Sequence, residues 1–593
     1  MDKKIIIELS KTLQVKESQI ENTLALLEDG CTVPFIARYR KEKTGGLDEE
    51  QIRTIQESYA YQINLQEKKE DTIRKIDTLG RLTDELVKQI NKCTKLSQIE
   101  DIYLPYKQKK KTRASIAMDA GLKPLSELLL KLPRTFNESM LDAYLNEAVK
   151  TREEAMTMAK DIIAQTVSED VDIRNKILDS MENYGRIITE IKKDAKDEKK
   201  TYQMYYDYTE KVSTLASHRI MAIDRAEKEK VISVSIEIND EYIINWINRK
   251  MIRYPNSPTA PYVQQAIEDA YKRLLFPSCE RRIRTQLSEK AHEKSIDMFS
   301  LNLEKLLCQP PMKDKIILGF DPAFRTGCKL AIIDASGKKL CVDVIYPHPP
   351  NAHIPEAKRK LIQLVKDYHV NLIAIGNGTA SRESEAFVAK VIKEANLNVA
   401  YTIVSEAGAS VYSASKLAID EFPDLHVEQR SAISIARRLM DPLSELIKID
   451  PQSIGVGQYQ HDLPANQLKQ RLDFVIEKVV NRVGVNINTA SISLLKNVSG
   501  LNESMAKNIV LYREENGKIL SRKDILKIPK IGKKSFEQSA GFLRIEDGIN
   551  PLDRTGIHPE SYELTYKILD LCNLQLEDVF NQNGRDILSK LNR

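Results

Sequence analysis

Along residues 1 to about 310 the apolar positions recur mostly with a helical period. Ile20, Thr23, Leu24 and Leu27 form one stripe, ended by Gly30, and Ile52, Ile55, Tyr59 and Ile63 form another. A long segment opens at Ser278, an N-cap residue just after Pro277, and carries Ile283, Leu287, Phe299, Leu303 and Leu306 at helical spacing. It is expected to end near residues 309–312. One stretch breaks the period: VISVSIEI, residues 231–238, alternates as a strand does and predicts a small sheet inserted among the helices.

Beyond QPPMKDK the pattern changes. KIILGFD is followed by KLAIIDASGKKLCVDVIYP, in which a Ser-Gly turn joins two apolar runs as in a hairpin. Helical and strand patterns then alternate through NLIAIGNG and VAYTIVSE to a last helix, EQRSAISIARRLMDPLSEL. This predicts an α/β domain whose strands run parallel after the opening hairpin. From about residue 486 short helices alternate with Gly-containing turns, and the final stretch reads as a polar helical tail. The expected architecture is multidomain and mainly α. It comprises a helical N-terminal region (1–312), an α/β domain (313–455), a helical connector (456–485), a tandem helix-hairpin-helix (486–548) and a tail (549–593).

The hairpin pair, NVSGLNESMAKNIVLYREENG and DILKIPKIGKKSFEQSAGFL, carries the first candidate chemistry. Each copy sets one glycine, Gly500 or Gly532, between apolar residues in its turn, where backbone without a Cβ can approach a phosphate. The helix that follows turns its free N–H groups toward that phosphate. Lys530, Lys533 and Lys534 surround the second turn, whereas the first has no lysine and is the weaker candidate. Such contacts are indifferent to sequence and fall off steeply with salt. Two hairpins packed only as a scaffold would carry the same pattern.

The α/β domain offers a second site. Asp321 ends the strand KIILGFD, the place where RNase-H-like nucleases carry their first metal ligand, and Glu406 and Asp441 are the acids expected to join it. Mg²⁺ or Mn²⁺ held by these three would serve two-metal hydrolysis of a phosphodiester. The competing reading is structural: Glu406 caps the segment after it and Asp441 stops a helix before Pro442. Asn377 stands where a stronger nuclease carries a further carboxylate, and the loop GNGTASR resembles a phosphate cradle without the lysine of a P-loop.

Composition narrows the choices. With 90 basic and 85 acidic residues the net charge is +5, so only local clusters can bind nucleic acid. The densest cluster is YKQKKKTR, with Lys107, Lys109, Lys110, Lys111 and Arg113 following Tyr103 and Tyr106, a pattern for stacking beside phosphates or for a solvated loop. The 7 cysteines show no C-x-x-C spacing, which disfavours zinc and disulfides. The absence of a signal-peptide pattern and of a long apolar run predicts a cytoplasmic protein without a membrane partner.

PFIARYRKEKTGGLDE, DIYLPYKQKKKTR, GFDPAFRTGCK, IGNGTASRESE, VSEAGASVYSAS and SIARRLMDPLSELIKIDPQSIGVGQYQHD, with VSGL and FEQSAGFLRI, resemble the Tex family of bacterial transcription accessory proteins. The resemblance implies a helical N-terminal half with a helix-turn-helix-like element, a YqgF-type RNase-H-like domain and the tandem helix-hairpin-helix. It implies RNA or DNA binding and a role around RNA polymerase, with no established nuclease activity; the ribosome is a further expected partner, and no cofactor is expected to be required. The alternative is a metal-dependent nuclease of the RNase-H or Holliday-junction-resolvase type. Two positions depart from the family pattern, Ala323 and Ser431, where glycine is usual. The chain also ends at Arg593, before the OB-fold RNA-binding domain into which the family usually continues.

Overall fold

The computed structural model describes residues 2–103, 106, 111–312, 314–455, 457 and 459–576. The chain is mainly helical and divides into two units, one of Ala60–Ser295 and one of Met1–Tyr59 with Ile296–Arg593.

In the first unit the helix Arg152–Glu169 is central. Thr151 and Glu154 close a capping box at its start, and Ala155, Ala159, Ile163 and Val167 bury its inner face. The helices Arg113–Asp119, Lys123–Leu130 and Ala260–Asp269 pack around it. The inserted sheet is present with three antiparallel strands in the order β2-β1-β3: β1 (Arg186–Ile191), β2 (Asp207–Lys211) and β3 (Ile232–Glu237). Only β3 was legible as a strand, because β2 is short, polar and nowhere fully buried. The helix expected from Ser278 starts earlier. A π turn, Ala270–Leu275, leads directly into the helix Phe276–Leu307, so Ser278 is not an N-cap. Pro277 lies just past that π turn, where the regular i→i−4 hydrogen-bond ladder is already interrupted.

The second unit holds the α/β domain. Its five strands are β4 (Ile317–Asp321), β5 (Cys328–Ile333), β6 (Lys339–Ile345), β7 (Leu372–Gly376) and β8 (Ala400–Val404), in the order β6-β5-β4-β7-β8. The opening hairpin is antiparallel, and β4, β7 and β8 run parallel. The helices Ile354–Asp367 and Ser381–Glu394 cover one face, and Val427–Met440 covers the other. Burial on both faces explains the nearly unbroken apolar runs of β4, β5 and β7. The last helix sits close because Gly319, mid-strand in β4, has no side chain: a Cβ there would lie 2.1 Å from the Ala432 carbonyl oxygen.

The helix Ala465–Val483 leads into the hairpin module. Two short strands, β9 (Val485–Asn486) and β10 (Leu543–Arg544), pair in parallel at its base. The first hairpin comprises the helices Ile492–Leu495 and Glu503–Asn516, and the second the 3₁₀ turn Arg522–Lys527 and the helix Lys533–Ser539. The segment after the module is woven into it rather than trailing from it. Arg522, 2 % exposed, donates hydrogen bonds to the carbonyl oxygens of Leu543, Thr555 and Ile557 and to the Tyr562 hydroxyl. Asp553 accepts from the Arg522 backbone N–H and from that same hydroxyl.

Residues 1–59 dock on this module. Thr32 N–H donates to Gln538 Oε1 (3.1 Å), Gln538 Nε2 donates to the Gly30 carbonyl (2.9 Å), and Arg40 pairs with Glu537 (2.6 Å) and Glu560 (3.2 Å). Tyr39 lies 5.1 Å from the Phe542 ring and 5.0 Å from His558, and Phe35 lies 6.1 Å from His558. Each such aromatic contact adds about 0.5–1.5 kcal/mol beyond the area it buries.

Replacing Gly319 by valine is expected to force the Val427–Met440 helix away from the sheet. Overpacking of this kind costs roughly 1–3 kcal/mol, and the clash with backbone sets the upper end. Urea denaturation measures it; an unchanged midpoint would show that the helix yields freely.

Candidate functional site

The three acids of the α/β domain are each answered by donors of the chain itself. Asp321 stands at the end of β4. Burial pushes its carboxyl up to about 6, the Ser431 hydroxyl on the Val427–Met440 helix hydrogen-bonds it and opposes that rise, and the nearby Glu406 carboxylate adds to it. Lys329 pairs with Glu428 at 2.5 Å and bonds the Thr326 carbonyl at 3.0 Å.

Glu406 follows β8 and fills the loop after β7. A Cβ on Gly378 would lie 1.5 Å from Glu406 Oε1, and one on Gly376 would lie 2.5 Å from Oε2, so the loop admits the carboxylate only because these positions are glycine. Burial raises the Glu406 pKa, while the Gly378 N–H and the Arg438 guanidinium pull it down. Asn377, whose side-chain oxygen accepts the Glu406 backbone N–H at 3.0 Å, clamps the same loop. The cradle suggested by GNGTASR is therefore occupied from within by an anion of the chain.

Asp441 is turned elsewhere. It separates the helix Val427–Met440 from Pro442–Leu446 and caps the second, accepting from Ser444 N–H (3.0 Å) and Ser444 Oγ–H (2.7 Å). The metal set expected of Asp321, Glu406 and Asp441 does not assemble. Among the described residues no group of three or more His, Cys, Asp or Glu is placed to hold a metal ion. A two-metal site needs several carboxylates with free lone pairs converging on one point. Here Asp441 caps a helix and Glu406 fills a loop, so the three do not present the converging free carboxylates that Mg²⁺ or Mn²⁺ would need.

The hairpins differ from each other. The first turn is committed to packing: Ser499 N–H donates to Asn481 Oδ1 (2.8 Å), and the Ser499 and Thr32 hydroxyls are hydrogen-bonded. Gly500, at φ +77°, is required because a Cβ would lie 2.7 Å from Gln538 Cβ and 3.0 Å from the Ser535 carbonyl. Asn502 caps the helix after it, accepting from Met505 N–H. Gly532 is different: it is exposed, nothing lies within 4 Å of its would-be Cβ, and no side chain caps the helix that starts after it. Lys530 reaches Ser504 Oγ at 2.9 Å, and Lys534 is held on the Asp29 carbonyl at 2.5 Å. Lys533 is exposed and carries no partner among the described residues.

In the basic run, Lys109 and Lys110 lie outside the described residues. Lys111 is exposed, and Arg113 opens the helix Arg113–Asp119, close enough to Asp161 to lower its pKa against a larger rise from burial. All 7 cysteines are free thiols. Among the described residues no helix is long and apolar enough to cross a membrane. The docking of residues 29–40 on the hairpin module has no signal in the sequence, since its partners lie some five hundred residues away.

Family models match most of the chain. The Tex-like protein N-terminal domain covers residues 3–77, the Tex central region 132–299, the Tex protein YqgF-like domain 315–440, a helix-hairpin-helix motif 480–544 and an HHH domain 550–593. The last match falls on the segment expected to be a tail. An uncharacterized protein of Bacillus subtilis, YdcI, is 49 % identical over 98 % of this chain and 82 % of its own length. The Transcriptional accessory protein Tex of Neisseria gonorrhoeae is 42 % identical over 95 % of this chain and 74 % of its own. S1 RNA-binding domain-containing protein 1 of Homo sapiens is 34 % identical over 96 % and 64 %.

The Asp321 carboxyl gives a pH signature. Its folded pKa, about 6, lies above the ordinary 3.8, so the folded state binds the proton more tightly. Its favourable contribution is complete below about pH 4, declines as pH rises through about 6, and stays lost above. Asn at position 321 still accepts a hydrogen bond from Ser431 but does not titrate. Asp321→Asn is expected to match the wild type near pH 4 and to exceed it by at most about 3 kcal/mol at pH 8. A difference in unfolding free energy that does not change with pH would refute the assignment.

Proposed function

The chain belongs to the Tex family, and from that premise we propose that it is a cytoplasmic nucleic-acid-binding accessory factor of transcription that grips phosphate backbone without reading sequence and without cutting it. The observation that carries this reading is the second hairpin turn, where exposed Gly532 lies open between Lys530, Lys533 and Lys534. A backbone free of side chain lets a phosphate approach, and the ammonium groups beside it exchange condensed counterions for direct contacts. The names of two relatives, a transcriptional accessory protein and an S1 RNA-binding domain-containing protein, agree with it. The first hairpin serves in this reading as the scaffold that holds the second. RNA and DNA both suit contacts to phosphate alone, and RNA polymerase or the ribosome is the assembly we propose it accompanies.

The non-catalytic half of the proposal is supported by the internal bonding of Asp321, Glu406 and Asp441. A nuclease would have to strip Asp441 from its helix cap and Glu406 from its loop before either could meet a metal.

Filter binding across a salt series tests the interface. The logarithm of affinity is expected to fall linearly with the logarithm of salt concentration, and Lys533→Glu is expected to flatten that slope by about one unit. Lys534→Glu should do less, because its ammonium is already held by a carbonyl. Binding indifferent to salt, or unaffected by both substitutions, sinks the hairpin assignment. With Mn²⁺ and branched, duplex or single-stranded substrates no cleavage is expected; cleavage lost in Asp321→Asn would overturn the non-catalytic reading.

A further inference from the structure

Within residues 60–295 lie the helices Lys123–Leu130 and Asp240–Met251. The segments that follow them are bonded together. Ser257 Oγ–H donates to the Pro133 carbonyl at 2.6 Å, Thr259 Oγ1–H donates to the Leu129 carbonyl at 3.1 Å, and the Phe136 and Tyr262 rings meet edge-on at 6.4 Å. Lys131, Arg134, Arg249, Lys250 and Arg253 lie in or just before these segments, KLPRTFN and RKMIRYPNSPT, which contain no acidic residue.

Lys250 is already engaged, paired at 2.9 Å with both Asp170 and Asp172. The other four are exposed and have no ion-pair partner among the described residues. Lys131 and Arg249 lie at helix C-termini, where a cation offsets the negative end of the helix dipole. That explanation does not reach Arg134, Arg253 or Tyr254, which belong to no helix. Tyr254 is 66 % exposed and follows Arg253 in the chain, and the Ser257–Pro133 bond ties its segment to the one that carries Arg134.

We propose that this double loop is a second nucleic-acid contact, specific for single strands, in which Tyr254 stacks on a base and Arg134 and Arg253 hold the flanking phosphates. The face of a base is open to a side chain only where the strand is unpaired, and arginine beside an aromatic ring serves both backbone and stack. An acidic peptide would be drawn to the same charge but has no use for an exposed ring. The proposal stands on residues remote in sequence from the hairpins and holds whether or not the Gly532 turn binds.

Fluorescence anisotropy of a labelled oligothymidylate with the full chain tests it. Tyr254→Ala is expected to weaken binding at least fivefold, and Arg134→Glu with Arg253→Glu at least tenfold, without change in the melting temperature. Lys533→Glu is expected to weaken binding separately, its effect multiplying with that of Tyr254→Ala, and an oligonucleotide carrying a photoreactive base should crosslink to the peptide containing Tyr254. If the Tyr254 and arginine variants bind as the wild type does while Lys533→Glu abolishes binding, this surface is refuted and the hairpin stands. The reverse pattern supports this surface, and the hairpin is then decided by its own salt series. Equal competition by polyglutamate together with a silent Tyr254→Ala would also overturn the proposal.

Discussion

The seating of residues 29–40 on the hairpin module is the constraint on which the second unit depends. Gln538 alone accepts from Thr32 and donates to Gly30, Arg40 bridges two glutamates, and Phe35 and Tyr39 enter a ring cluster with Phe542 and His558. Burial keeps His558 below its ordinary pKa and so neutral, and its Nε2–H donates to the Glu537 carbonyl at 2.7 Å. The seat fixes the first hairpin through Thr32 and Ser499 and borrows Lys534 through Asp29. Two hairpins of similar sequence thus acquire unlike surroundings, one turned inward and one open.

In the α/β domain the acids Asp321 and Glu406 are bonded from within the chain. Gly376 and Gly378 remove the side chains that would exclude Glu406, and Ser431 supplies a hydroxyl to Asp321. Ser431 was noted only as a departure from glycine. In the folded chain it bears directly on the one carboxyl that ends β4, where a glycine would leave that group with one donor fewer.

Local features were legible in the sequence, and distant partners were not. The opening hairpin, the parallel strands after it and the turn glycines follow from periodicity and turn chemistry, which act within a few residues. Asp441 before Pro442 was readable as a helix stop, and that reading describes its side chain better than the metal set did. Nothing in the sequence near Glu406 indicates that its carboxylate would fill a loop 28 residues earlier, at Gly378. The segment after residue 549 reads as a polar tail because its burial is made by Arg522, whose partners Asp553, Thr555 and Tyr562 look solvent-facing in isolation.

The contact between Thr32 and Gln538 spans 506 residues of chain. Ribosomes add roughly 5–20 residues per second, so the first helices emerge about 25–100 s before the surface they are shaped to meet. Throughout that interval Phe35 and Ile36, each 0 % exposed in the finished protein, lack their final cover. Maturation of this half of the molecule is timed by synthesis of its far end.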